Sequence, residues 1–186
     1  MQQHPTTYVA LIRGVAPSIE NRNNASILKV LGKMDALTGV AAVLSSCNYV
    51  FTSAQRSTAK LEERITQALK AATGAELLTI VRSQKQIQKL VDDNPLANLP
   101  HGPGSYQLVT LFKHPADLNL ELPYQPEGKF FQLAGSVDGA LFTVSDNTAT
   151  QGAIDTMAWL ERQFSKDLTS RTPLTLSKIL KKMQQL

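Results

Sequence analysis

Apolar residues along this chain alternate between a spacing suited to strands and one suited to helices, and the changes mark its elements. "TYVALIRG" gathers Val9, Leu11 and Ile12 with Tyr8 ahead of a glycine, which predicts a buried strand over 7–13 ending at Gly14. "NASILKVLGKMDALTG" follows with Ile27, Leu28, Leu31 and Met34 at helical spacing, Asn24 as its cap and Gly39 as its stop. "VAAVLS" and "NYVFTS" then flank a few turn-capable residues, predicting a hairpin or two closely successive strands. "STAKLEERITQALKAATG" places Leu61, Ile65, Ala68, Leu69 and Ala72 on one face, leaves Glu62, Glu63 and Lys70 to water, and ends at Gly74. "ELLTIVR" supplies a fourth strand, after which Ser83 and Gln86 form a capping box for a short helix carrying Ile87, Leu90 and Val91 up to Asn94-Pro95.

To Arg82 the order is β-α-β-β-α-β, the split unit in which two helices cover one face of an antiparallel sheet. "NPLANLPHGPGS" holds three prolines and two glycines and predicts a linker over 95–105, dividing a first half, 1–94, from a second, 106–186. In the second half "SYQLVTLF" and "GKFFQLAG" read as strands, and Asp138-Gly139 suits a type I′ turn into "ALFTVS". "HPADLNLELPYQP" is too short and too interrupted by proline to assign. Thr148 and Gln151 predict another capping box, opening a helix with Ile154, Met157, Ala158, Leu160 and Phe164 inward and Trp159 beside that stripe. Thr172-Pro173 starts a terminal helix with Leu176, Ile179, Leu180 and Met183 on its face and Lys178, Lys181 and Lys182 towards its end. The fold class expected is α+β, with two ferredoxin-like halves.

Composition narrows the function classes. At 186 residues the chain buries roughly 70% of its unfolded surface and needs neither disulfide nor metal to hold a core. One cysteine forms no internal disulfide, no apolar run reaches the roughly 20 residues that span a bilayer, and "MQQHPTTY" is unlike a signal peptide. A cytoplasmic protein without a membrane partner is the expectation. A net charge of +4 is compatible with an anionic ligand, or with nucleic acid, without requiring either. "NYVFTS" lacks the basic-glycine-aromatic pattern of an RNA-binding strand, so RNA is the alternative partner.

Four stretches carry a family resemblance: "YVALIRG", "LSSCNYVFTS", "IVRSQKQIQKLVDDNPL" and "LERQFSKDLTSRTPLTLSKIL". In order and spacing they are similar to domain-of-unknown-function family 1697, uncharacterised bacterial proteins. The resemblance implies an α+β fold of two intertwined ferredoxin-like halves and implies no activity. Arg13, Ser46, Asn48, Arg82, Arg171 and Thr175 match the family's pattern, whereas Ala16, Cys47 and Thr172 depart from it. Cys47 stands where the family has glycine.

Candidate chemistry is sparse. No histidine lies near Cys47 in sequence to lower its pKa, so a place in the turn or the core is the reading for this thiol. His4, His101 and His114 have no metal-ligand spacing, "HGPGS" lacks the ending of a phosphate loop, and the adjacent acids Glu62-Glu63 and Asp92-Asp93 read as solvated helix surface. No catalytic set, metal site or cofactor is expected. The residues with most functional potential are Arg13 at a strand end, Ser46 and Asn48 in the hairpin, and Arg171 before a helix N-terminus, which together suit a phosphate or carboxylate. The competing reading gives the arginines to backbone carbonyls and Asn48 to the turn.

Overall fold

The computed structural model describes residues 5–45, 47–148 and 152–186, without the side chains of residues 152 and 153. It separates the chain into two compact units, Met1–Gln88 with Ser177–Leu186, and Lys89–Leu176. The expected linker over 95–105 falls within the second of these units, and the last ten residues group with the first.

The first unit runs β1 (Thr6–Arg13), α1 (Asn24–Leu31), β2 (Thr38–Val43), β3 (Asn48–Ser53), α2 (Thr58–Thr73) and β4 (Leu78–Ser83). Its sheet has the order β2-β3-β1-β4 with every neighbouring pair antiparallel. β3 therefore lies between β1 and β2, splitting the β1-α1-β2 crossover as the sequence pattern expects. Tyr8, Ala10, Ile12, Tyr49, Phe51 and Val81 on one face pack with Ile27, Leu31, Leu61, Ile65 and Leu69 from the two helices. Val9, Leu11, Val50 and Ile80, which alternate with them, are fully buried as well. Burial on both faces explains why β1 reads as an unbroken apolar run rather than an alternation.

Local signals set most of the boundaries. Asn23, not Asn24, caps α1: its side chain accepts the Ser26 N–H at 2.9 Å. The helix stops at Gly32, well short of Gly39, because 38–43 is taken up as β2 by pairing with β3. Gly39 instead adopts φ 65° beside a bulge between Thr38 and Ala41. Ser57 caps α2, and Gly74 ends it at φ 71°, a conformation that favours glycine. Thr73, rather than Ala72, completes the inner face of α2, with its hydroxyl on the Leu69 carbonyl at 2.8 Å.

α3 (Gln84–Asp92) opens with the expected capping box: Gln86 accepts the Ser83 N–H at 3.0 Å and donates its own to the Ser83 hydroxyl at 3.3 Å. The second unit contains β5 (Ser105–Phe112), β6 (Phe131–Val137), β7 (Ala140–Asp146), α4 (Gly152–Gln163) and β8 (Leu168–Arg171), in the antiparallel order β6-β7-β5-β8. Asp138 and Gly139 take φ 48° and 75° in the tight turn between β6 and β7. Between β5 and β6 the chain forms no helix, so this half departs from the full β-α-β-β-α-β order. Residues 113–130 form an irregular segment whose Tyr124 exchanges two 2.8 Å backbone hydrogen bonds with Leu133 of β6. Two four-stranded antiparallel sheets with helices packed around them make this an α+β fold.

The face that α4 buries differs in part from expectation. Leu160 is buried and Met157 and Phe164 pack against the same cluster, as their spacing predicts, but Ile154 is 64% exposed and Ala158 is exposed, while Thr156 and Trp159 are buried. Trp159 stands edge-on to Phe131 and Phe164, with ring centres 5.7 and 6.2 Å away, and the Thr156 and Ser145 hydroxyls meet at 2.9 Å. The expected capping box of Thr148 and Gln151 lies partly outside the described residues; the Thr148 N–H and hydroxyl both donate to the Asp146 carboxylate. α5 (Pro173–Met183) starts as expected, with Thr172 accepting the Thr175 N–H at 3.2 Å.

Candidate anion-binding site

The residues singled out from sequence are distributed over both units. Arg13 ends β1, opposite Leu78 of β4, with its side chain exposed. Asn48 begins β3 opposite Leu11, is fully buried, and donates its Nδ2–H to the Val43 carbonyl at 3.1 Å, closing the hairpin. Ser46 lies outside the described residues. Arg171 belongs to the second unit, where its Nη1 donates to the Thr169 hydroxyl and the Ser170 carbonyl, both at 2.8 Å. Cys47 adopts φ 62° and its carbonyl accepts the Ile12 N–H at 3.0 Å, consistent with its standing in a glycine position. Next to it, burial raises the Tyr49 phenol far above its ordinary value, with the Cys47 thiol adding to the shift. The Tyr49 hydroxyl donates to Asn24 Oδ1 at 2.7 Å.

Glu62 is not solvated helix surface. It is 5% exposed, accepts the Val81 N–H at 2.8 Å and lies 3.6 Å from the Arg82 guanidinium. Since β4 is an edge strand, this carboxylate from α2 satisfies a ladder N–H that no strand reaches. Arg82 is thereby committed to the fold, donating also to the Val81 carbonyl at 2.8 Å.

A different place gathers cations with hydrogen-bonding side chains. In the first unit an open groove of about 770 Å³ is lined by Asp35, Thr38, Thr52, Gln55, Arg56 and Arg64. Its walls are the residues entering β2 and those leaving β3, tied together by the Ser53 hydroxyl, which donates to the Ala36 carbonyl at 2.7 Å and accepts the Gln55 N–H at 3.1 Å. Gln55 in turn accepts the Ser57 N–H at 2.9 Å, and Ser57 accepts the Lys60 N–H at 3.3 Å as the cap of α2. Arg56 is steadied by donation to the Thr6 hydroxyl. Arg64 is exposed and has no ion-pair partner among the described residues. Two guanidinium groups against the single carboxylate of Asp35 leave the groove net positive.

Sequence reasoning passed over Arg56 and Arg64 because each looks like an ordinary surface cation. A signal was present: Arg64 lies seven residues after the cap Ser57, two helical turns on, so it returns to the side of the helix on which the chain enters. A second trough, about 620 Å³ and bordered by Ile19, Lys29, Val30 and Lys33, offers ammonium groups but lacks the fork of paired N–H donors that a guanidinium presents. Among the described residues no group of His, Cys, Asp or Glu is positioned to hold a metal ion, and no helix is long and apolar enough to cross a membrane.

No curated protein matches this chain. Its structure resembles that of a conserved bacterial protein from Streptococcus pneumoniae with a TM-score of 0.69, over 97% of this chain and 99% of that one. Identity is 19%, so that likeness concerns the fold alone. The family described as "Protein of unknown function (DUF1697)" matches residues 6–127, well over half of the sequence, and the chain belongs to that family.

Proposed function

We propose that this protein is a non-catalytic binding module for a small anion of the phosphate or carboxylate class, held in the groove of Arg56 and Arg64. The observation that carries the reading is that Arg56 and Arg64 line one concavity together with Thr38, Thr52 and Gln55. Guanidinium forks match the oxygens of phosphate and carboxylate, and charge-assisted hydrogen bonds are the strong ones. The alternative partner, single-stranded RNA, draws less support, because stacking bases needs accessible aromatic rings on a sheet. Tyr8, Tyr49 and Phe51 of the first sheet are all inside its core. We place the protein in the cytoplasm, where a lone free thiol such as Cys47 stays reduced.

Calorimetric titration with inorganic phosphate and with a small dicarboxylate tests the proposal. Binding is expected to weaken as salt rises, and Arg56→Ala and Arg64→Ala each weaken it by about ten- to a hundredfold, the loss of one charge-assisted hydrogen bond of about 1.5–3 kcal/mol. Arg171→Ala is the comparison: an unchanged response there assigns the anion to the groove, whereas loss there alone assigns it to the cluster read from sequence. Absence of any response to either anion refutes the module.

A further inference from the structure

A second concavity, in the second unit, has a different chemistry. It is about 310 Å³, within the lower range of small-molecule sites, and its wall includes Ser105, Gln125, Phe130, Gln132 and Asp146. Phe130 is 47% exposed, an unusual cost for a ring of that size at the rim of a cavity. Its position is fixed by the backbone, since the Asp146 N–H donates to the Phe130 carbonyl at 2.7 Å.

The polar groups around this ring are set rather than loose. Gln125 donates its Nε2–H to the Lys129 carbonyl at 2.9 Å, which turns its Oε1 into an oriented acceptor. Ser105 donates its hydroxyl proton to the Pro100 carbonyl at 3.0 Å and so presents lone pairs. Gln132, on β6, has no hydrogen-bond partner for its side chain among the described residues and offers both a donor and an acceptor. Among the described residues no lysine or arginine lines the concavity, and its one carboxylate, Asp146, holds Thr148 through both N–H and hydroxyl.

We propose that this concavity binds a neutral sugar ring, the pyranose of a glycoside, with one face on Phe130 and its hydroxyl groups on Gln125, Gln132 and Ser105. A pyranose has an apolar face of C–H groups for the aromatic ring and a rim of hydroxyls that both donate and accept. Amide and hydroxyl side chains satisfy that rim without charge. An anion finds no counter-charge here and meets Asp146, which separates this site from the cationic groove of the first unit.

The test is saturation-transfer NMR on the full chain with the methyl glycosides of glucose, galactose and mannose, with adenosine and inorganic phosphate as comparisons. At least one glycoside is expected to show transfer and to bind weakly, at about millimolar concentration. Phe130→Ala should weaken it by about tenfold or more, Gln132→Ala by about fivefold, and Phe130→Trp should preserve it. Since Phe130 is half exposed, these variants are expected to keep the wild-type melting temperature, which is measured alongside. Transfer from adenosine alone, transfer from no glycoside, or glycoside binding that Phe130→Ala leaves unchanged each overturns the proposal.

Discussion

At the hairpin between β2 and β3, Cys47 holds a left-handed backbone that costs a residue with a β-carbon about 1–2 kcal/mol relative to glycine's free access. Its neighbour Asn48 closes the turn from inside with its hydrogen bond to the Val43 carbonyl, so the residue that follows the thiol in "SSCN" is structural. Tyr49, the next residue, gives the hairpin a pH dependence. The folded state holds the phenol proton more tightly than the unfolded chain does, so the associated stability is complete below the ordinary value of 10.0 and falls as pH rises above it. Urea unfolding followed across that range is expected to show a decline in the wild type that is smaller in Tyr49→Phe. At neutral pH the same substitution costs about 1 kcal/mol, through loss of the hydrogen bond to Asn24. An equal alkaline decline in both proteins would remove Tyr49 as its source.

Elements show where spacing is a sufficient guide and where it misleads. The capping box of Ser83 and Gln86, the Thr172 cap and the glycine stop at Gly74 are all legible, because each is satisfied by groups within a few residues. In α4, Met157, Leu160 and Phe164 pack inward as their spacing predicts, but Ile154 and Ala158, apolar at the same interval, stay exposed, because the hydroxyl pair of Thr156 and Ser145 and the ring cluster around Trp159 fix the rotation of the helix. The stability consequence is an inverted ranking: Trp159→Ala is expected to cost about 3–5 kcal/mol, whereas Ile154→Ser stays within about 0.5 kcal/mol of wild type. Chemical denaturation of the two variants checks it, and comparable losses would restore the inward stripe read from sequence. Glu62 carries the same lesson, since in sequence it matches Glu63, and only the edge position of β4 makes one of them a buried partner.

At the scale of the molecule, both sheets repeat one strand order, but only the first unit has a helix in its first crossover. In the second, Pro115, Pro123 and Pro126 interrupt the segment between β5 and β6, removing donors a helix requires. The last ten residues group with the first unit although they are the most distant from it in sequence. Ending the chain after Leu176 would delete the buried Ile179, Leu180 and Met183, each contributing about 1.5–3 kcal/mol. Amide exchange in β1 to β4 should accelerate in that truncated chain; unchanged protection there, with loss confined to β5 to β8, would contradict the grouping.

The sequence alone determined the element types of the first unit, the start of α3, the glycine stop of α2 and the family membership, because those depend on residues close together or on ordered motifs; the ends of α1 it placed wrongly. It could not determine which cations share a groove, which of two adjacent glutamates is buried, or which unit receives the final helical residues. Arg56 and Arg64 line one concavity with Thr38 because strand pairing carries Thr38 opposite Thr52, just ahead of α2. Apolar spacing states how much surface an element must bury; only the packed sheets decide against what, and so which polar groups are left to face a ligand.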